Sequence, residues 1–236
     1  NPEPILKRAK EQLDAGATYI DVNIGPAEGN GPELMSWVVK LLQENFNNVP
    51  LALVTANKSA IEAGIAVYNR ENGKPIVNSA DAGDRLSYLD LAAANDAICI
   101  ALCSKGAVPG SLDEIMGYCQ ELLEHGMMLG MEPTDMWFDP LFLVAKGMQD
   151  KQQQILDAIK GFSDMGLNST GGLSNVSNGM PKELRPIMDS AMLAMSMANG
   201  LTSAIVNPCD RRLIETMKSC DILKDNYMYA DSYLDL

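Results

Sequence analysis

A run of small and amide side chains occupies residues 171–179, with the sequence GGLSNVSNG. Glycine lets a backbone approach a bound molecule closely, and serine and asparagine supply hydrogen-bond donors and acceptors. Such a composition is also typical of an ordinary surface turn. Because the run lies between two strongly helical segments, it is predicted to be the end of a strand that continues into a loop.

Polar side chains stand at the ends of other predicted strands as well. An unpaired buried polar group costs about 1–3 kcal/mol, so a ring of such groups favours a site for a hydrogen-bonding ligand. Each residue alone could instead cap a strand end in an Asx turn, and only their recurrence favours a site. The residues are Asp21, Asn23, Asn57, Asn78, Asp139, Asn175 and Asn207.

These residue types suit the recognition of a flat heterocycle with many donors and acceptors. A carboxylate such as Asp139 can accept two parallel N–H bonds from an amino-pyrimidine edge, and amides can meet the other ring atoms. The chain has no GxGxxG or Walker motif. Its single histidine, His125, excludes most Ser-His-Asp triads and most zinc sites, and no metal site is expected.

The elements that must position these side chains alternate strictly between strand and helix. Short apolar strands are predicted near residues 20, 53, 77, 100, 137, 172 and 204, each followed by a helix, which indicates a parallel α/β sheet. The chain opens on a helix with no strand before it. We expect a TIM (β/α)8 barrel whose first strand is missing because the chain is truncated at Asn1, and a seven-stranded open sheet is the alternative. A barrel of this size is predicted to be one domain over residues 1–236, with its site at the carboxyl ends of the strands.

Composition limits the partners. The formal net charge of −13 and the pI of about 4.4 disfavour nucleic acid and anionic membrane surfaces. No apolar run approaches the roughly 18 residues that a membrane helix needs. The five cysteines form no CxxC pair, so free thiols in a reducing cytoplasm are expected.

Seven motifs follow one another along the chain: IDVNIGP at 20–26, AIEAG at 60–64, VNS at 77–79, FDPL at 138–141, GLSNVS at 172–177, CD at 209–210 and LIE at 213–215. In residues, order and spacing they resemble those of the methyltetrahydrofolate:corrinoid protein methyltransferases, which are pterin-binding barrels. The resemblance covers nearly the whole chain. Members of that family are TIM barrels, usually homodimers, and begin with a strand carrying a Gly-Glu-Arg-Ile-Asn motif that is absent here.

The resemblance implies a role for each site residue. Asp139 would bind the 2-amino and N3 edge of the pterin, Asn78 would bond to the ring, and Asn175 would be the catalytic residue at N5. The remaining members of the implied pterin-binding set are Gly172 and Ser174, which would shape the pocket, Asn178 just beyond them, and Asp21, Asn23 and Asn207.

The implied reaction moves a methyl group between N5 of tetrahydrofolate and the cobalt of a corrinoid (cobalamin) carried by a separate protein, in anaerobic one-carbon metabolism. Because a tertiary amine is a poor leaving group, N5 must gain positive character. The amide oxygen of Asn175 can accept a hydrogen bond from protonated N5, and that bond strengthens as the proton arrives. The direction of transfer, the upstream methyl donor and the identity of the corrinoid protein stay open.

One position departs from the family pattern. Where the family carries a pterin-binding aspartate in the strand that ends Asp-Thr-Ala-Asn, this chain has Val54 followed by TAN. Losing a charge-assisted hydrogen bond would cost about 1.5–3 kcal/mol of binding if nothing replaces it. The alternatives are therefore weaker folate binding, a different pterin such as a methanopterin, or a non-catalytic barrel that binds a pterin or a corrinoid protein. A dihydropteroate synthase-like enzyme, which handles a diphosphate with a Lys and an Arg, is a further alternative, although no Ser-x-Arg pair lies near the last strands.

Overall fold

The computed structural model describes residues 1–234. Strands and helices alternate from α1 to α7 as the sequence predicts, and α8 and α9 follow without an intervening strand. Short 3-10 turns lie at Pro133–Asp135, Gln149–Lys151 and Leu173–Ser177. The elements are α1 (Glu3–Asp14), β1 (Ile20–Asn23), α2 (Gly31–Asn45), β2 (Leu51–Val54), α3 (Lys58–Ala66), β3 (Ile76–Asp81), α4 (Ser87–Ala94), β4 (Ile98–Leu102), α5 (Leu112–Met128), β5 (Met136–Asp139), α6 (Gln152–Asp164), β6 (Asn168–Ser169), α7 (Arg185–Ala198), α8 (Arg211–Leu223) and α9 (Asp231–Leu234).

The six strands form one parallel sheet in chain order, from β1 to β6. Alternate residues of each strand face opposite sides. On β2, Leu51 and Leu53 pack into the main core against the helices, whereas Ala52 faces the other side and joins a small apolar cluster with Ile76 and Ile100. The helices therefore cover one face of the sheet, and the polar residues at the carboxyl ends belong to the opposite, inner face.

The sheet curls round into a barrel. Tyr19, just before β1, places its ring centroid 5.5 Å from that of Trp137 on β5, although three strands lie between them in the sheet order. Ile205, beyond β6 in the chain, packs in the inner cluster with Ala52 of β2. The predicted incomplete (β/α)8 barrel is thus confirmed over the flat open sheet. β1 pairs with β2 alone, and its other edge has no strand partner within residues 1–234.

Two predicted strands are shorter than expected. The sixth covers only Asn168–Ser169, and the seventh, predicted over residues 201–208, is reduced to a single parallel bridge between Gly172 and Ile205. The reason is local competition, since side chains replace part of the ladder. The hydroxyl of Thr202 donates to the Ser169 carbonyl at 2.7 Å and accepts from the Ser169 N–H at 2.8 Å.

Side-chain caps fix where the loops on the site edge end. Asn57, Ser111 and Asp210 each accept a hydrogen bond of 3.3 Å from a backbone N–H in the first turn of α3, α5 and α8. Such caps stabilise a helix by about 1 kcal/mol, and each here begins a helix that follows a strand position. No helix within residues 1–234 combines the length and apolar character needed to cross a membrane.

Alanine substitutions at two helical glycines test this packing, because they are expected to change the free energy of unfolding in opposite directions. A Cβ at Gly64 on α3 would lie 2.6 Å from Cγ of Met35 and 3.0 Å from Cδ1 of Leu53, whereas one at Gly117 on α5 meets nothing within 4 Å. We expect Gly64→Ala to lower the free energy of unfolding by about 1–3 kcal/mol through overpacking. We expect Gly117→Ala to raise it by up to about 1 kcal/mol through helix propensity. Urea denaturation measures both, and equal effects of the two substitutions would contradict the close approach of α3 to α2.

Candidate functional site

The polar residues that the sequence singles out do collect at one edge of the barrel. Asp21 and Asn23 lie on β1, Asn78 lies on β3, and Asp139 is the last residue of β5. The glycine-rich run follows β6 and forms a 3-10 turn at Leu173–Ser177. Since parallel strands present their carboxyl ends on the same side, these groups face a common mouth.

Asp139 is the half-buried acid of this mouth. Its Oδ1 accepts the backbone N–H of Leu141 at 2.8 Å. Burial raises the pKa of Asp139 to about 7, and the Leu141 hydrogen bond offsets only part of that cost. The carboxyl therefore changes charge near neutral pH, and it gains from any ligand that offers N–H donors to its ionised form.

Gly171 lies directly against this carboxyl. A Cβ at Gly171 would come within 2.8 Å of the Asp139 Oδ1 and within 2.5 Å of the Phe142 ring, so a larger residue has no room. Cys103 lies on the other side of Asp139, donating its backbone N–H to the Asp139 carbonyl at 2.8 Å. Burial, together with the neighbouring Cys119 thiol and the Asp139 carboxyl, raises the pKa of the Cys103 thiol well above its usual value, so that thiol stays neutral.

Sequence reasoning did not assign Gly171 or Cys103 to the site. Gly171 belongs to the run that drew attention, but its contact with Asp139 depends on how the loop after β6 crosses β5. Cys103 follows an apolar strand and carries no sequence signal of its own.

A pair of amides stands on the loop after β6. The Nδ2 of Asn178 donates to the Oδ1 of Asn175 at 3.3 Å, and both side chains are exposed to solvent. The buried Ser177 stabilises the turn, because its hydroxyl donates to the Ser174 carbonyl at 3.2 Å. Only one lone pair of the Asn175 oxygen is used by Asn178, so the other is available to a ligand.

A second polar pair spans the other side of the mouth. The Nδ2 of Asn78 donates to Oδ1 of Asp21 at 3.1 Å. Asp21 is open to solvent but lies in a concave part of the surface, where burial raises its pKa and the Asn78 hydrogen bond opposes the rise. Asp139 and Asn78 lie on β5 and β3, two strand spacings of about 4.8 Å each apart.

Three of the strand-end amides are occupied locally. Asn23 accepts the Gly25 N–H at 2.8 Å, Asn207 accepts the Cys209 N–H at 3.3 Å, and Asn57 caps α3. These are the Asx-type contacts that single residues of this kind favour. Ligand binding by Asn23 and Asn207 stays a prediction.

A family model described as pterin binding enzyme matches residues 1–207. The chain belongs to the pterin-binding enzyme family. A methylcorrinoid:tetrahydrofolate methyltransferase from Eubacterium limosum is 25% identical to it over 237 aligned positions, which cover 97% of this chain and 85% of that protein.

Solved structures of similar fold include dihydropteroate synthases. The Yersinia pestis enzyme with a pterine-sulfa conjugate superposes with a TM-score of 0.77 at 18% identity, over 95% of this chain and 90% of that one. The Vibrio fischeri ES114 7,8-dihydropteroate synthase gives 0.75 at 15% identity, over 97% and 90% of the two chains. At these identities the likeness establishes the fold alone.

The donor and acceptor pattern of this pterin-binding enzyme fits its family's ligand. The pyrimidine ring of a pterin carries a 2-amino group beside an N3–H, which are two parallel donors. An ionised carboxylate is the complementary acceptor for two parallel donors, and Asp139 is a carboxyl at the mouth with its Oδ1 held by the Leu141 N–H.

The raised pKa of Asp139 predicts that the free energy of unfolding of the ligand-free protein depends on pH. Since the folded pKa of about 7 exceeds the unfolded value of 3.8, the native carboxyl holds its proton more tightly, and stability falls as pH rises from about 4 to 7. We expect Asp139→Asn to raise the free energy of unfolding at pH 8 by up to about 4 kcal/mol, with a smaller gain at pH 5. Denaturant titrations of both proteins at the two pH values measure this, and a gain independent of pH would rule out Asp139 as its source.

Proposed function

We propose that the protein transfers a methyl group between N5 of tetrahydrofolate, or a related tetrahydropterin, and the cobalt of a corrinoid held by a separate protein. The observation that carries the proposal is the Asn178–Asn175 amide pair on the loop after β6, in the same mouth as the carboxyl of Asp139. Membership of the pterin-binding family and the 25% identity to a methylcorrinoid:tetrahydrofolate methyltransferase support it.

Asp139 anchors the pterin in this proposal. Its ionised carboxyl accepts the 2-amino and N3 protons, and the close approach of Gly171 lets the ring lie near the loop that carries Asn175. Pterin binding recovers the cost of burying the carboxylate, because two charge-assisted hydrogen bonds replace lost water. Affinity should therefore weaken as pH falls below about 7 and Asp139 takes up a proton.

Asn175 acts at N5. In transfer from the folate, the N5–methyl bond breaks, its electron pair stays on N5, and the methyl group passes to a nucleophile. Prior protonation of N5 makes it a better leaving group, and the free lone pair of the Asn175 oxygen accepts that N5–H. The bond from Asn178 holds the Asn175 amide in one orientation. A fixed dipole aimed at a site where charge develops lowers the barrier without reorganisation.

The cobalt corrinoid supplies the nucleophile or methyl donor and is proposed to arrive on a partner protein. The one imidazole of the chain is His125, whose Nε2 lies 3.1 Å from Oδ1 of Asp90. These two residues lie on α5 and α4, in the helical layer outside the barrel. No imidazole of the described chain therefore reaches the mouth as a cobalt ligand. A cytoplasmic location and a homodimer are part of the proposal.

Substitution of Asn175 tests the mechanism. We expect Asn175→Ala to lower the rate of methyl transfer from methyltetrahydrofolate to Co(I) cobalamin by about 100-fold or more, with pterin affinity changed far less. Asn178→Ala should have a smaller effect in the same direction, since it only loosens Asn175. The matched control is Asn45→Ala, whose amide bonds to the Leu41 carbonyl at 2.8 Å at the end of α2. Turnover of Asn175→Ala close to that of the wild type would remove it from the mechanism.

Calorimetric titration with methyltetrahydrofolate tests whether the protein binds this pterin. Val54 stands on the inner face of β2, in register with Asn23 and Asn78. We expect measurable binding by the wild type and binding about 10-fold tighter or better in Val54→Asp, which adds a charge-assisted acceptor, with Val54→Thr as the uncharged control. Binding by Val54→Asp alone would mean that the natural ligand is another pterin or that the barrel is non-catalytic. Turnover of a pterin diphosphate would instead favour the dihydropteroate synthase alternative.

A further inference from the structure

The hydrogen bond between Asn78 and Asp21 passes across a strand. Asp21 lies on β1 and Asn78 on β3, with β2 between them. Asp21 is in register with Ala52 and Asn78 with Val54, so the two side chains meet above the inner face of β2. Ala52 is buried there and presents only a methyl group. Two short side chains can span two strand spacings because the strand between them carries so little at that point.

This contact determines which way the Asn78 amide points. An ionised carboxylate only accepts hydrogen bonds, so the Asn78 Nδ2 must face Asp21 and its Oδ1 must point away. Within residues 1–234 no protein group donates to that Oδ1. Asn78 therefore offers the mouth a carbonyl acceptor, whereas an amide without Asp21 could turn either end to a ligand.

We propose that Asp21 is a positioning residue that fixes Asn78 as an acceptor and thereby makes the site selective for reduced pterins. The inference rests on the proposed pterin function. With Asp139 on the pyrimidine edge, Asn78 two strands away faces the second ring. A tetrahydropterin carries N–H donors on that ring, while a fully oxidised pterin carries only lone pairs on its ring nitrogens there. A fixed acceptor binds the N–H groups of the tetrahydropterin and is repelled by the ring-nitrogen lone pairs of the oxidised pterin.

Binding of tetrahydrofolate and of folic acid by calorimetry, in wild type and two Asp21 variants, provides the test. We expect the wild type to prefer tetrahydrofolate and Asp21→Ala to lose about tenfold of that preference, because Asn78 can then turn its donor to the oxidised ring. Asp21→Asn should lose less of the preference than Asp21→Ala, since its amide oxygen can still accept from Asn78, although its NH2 group also permits the reversed pair. Unchanged preference in Asp21→Ala would overturn the proposal, as would equal loss in both variants, which would mean that the Asp21 charge touches the ligand itself.

Exchanging the carboxylate and the amide between positions 21 and 78 tests the same contact with a second set of variants. Asn78→Asp alone places two carboxylates face to face and should weaken tetrahydrofolate binding. Combining it with Asp21→Asn restores a donor opposite an acceptor, with a carboxylate oxygen still facing the ligand. Recovery of binding in the double variant supports the pairing, and failure to recover in a protein whose thermal unfolding midpoint matches that of the wild type contradicts it.

An NMR measurement separates this inference from the proposed function. The side-chain amide signals of Asn78, assigned by their loss in Asn78→Ala, should shift in Asp21→Ala more than in Asp21→Asn without any ligand. If they shift while the wild type binds neither pterin, the positioning contact stands and the pterin function fails. If they do not shift, the positioning role fails whatever the protein binds.

Discussion

The candidate site depends on the free-energy cost of burying an ionised carboxylate at Asp139. The group sits at the end of β5, closed in by Gly171, and burial raises its pKa to about 7. One backbone N–H, from Leu141, cannot replace the water that the carboxyl loses. The free protein is thus left with an acceptor that a ligand with parallel N–H donors satisfies. Binding sites are commonly built in this way, with stability given up for affinity.

The barrel can hold this buried carboxyl because most of its stabilisation comes from a separate core, between the sheet and the helices. The side chains that face the helices are large and apolar, as with Leu51, Leu53 and Phe138, and they supply the hydrophobic stabilisation. The inner face also carries apolar residues such as Ile76 and Ile100, but it includes the small Ala52 on β2 and the polar Asn78 on β3. The Asp21–Asn78 contact depends on this difference, because a larger residue at position 52 would block it.

The amides at the mouth fall into two groups, those bonded to neighbouring backbone and those held by other side chains. In one group the side-chain oxygen accepts a hydrogen bond from a neighbouring backbone N–H and so fixes the local turn, as in Asn23, Asn57 and Asn207. Asn78 and Asn175 are instead oriented by other side chains, Asp21 and Asn178, so each keeps an acceptor free. An amide held by a side chain is preorganised for a ligand, whereas one that caps its own turn is already satisfied.

The sequence by itself determined the order of elements, the parallel sheet and the edge at which the polar groups gather. Those follow from local signals: apolar runs of strand length, helical spacing and polar residues where strands end. It also placed Asp139, Asn78 and Asn175 through motifs that resemble a known family. The seventh strand was predicted from its composition, yet Thr202 replaces part of its ladder with side-chain bonds to Ser169. Only the tertiary structure decided which strand-end amides keep a free acceptor, that Gly171 lies against Asp139, and that Asp21 reaches Asn78. These contacts join residues whose distances depend on how the sheet curls and on how the loops fold at its edge.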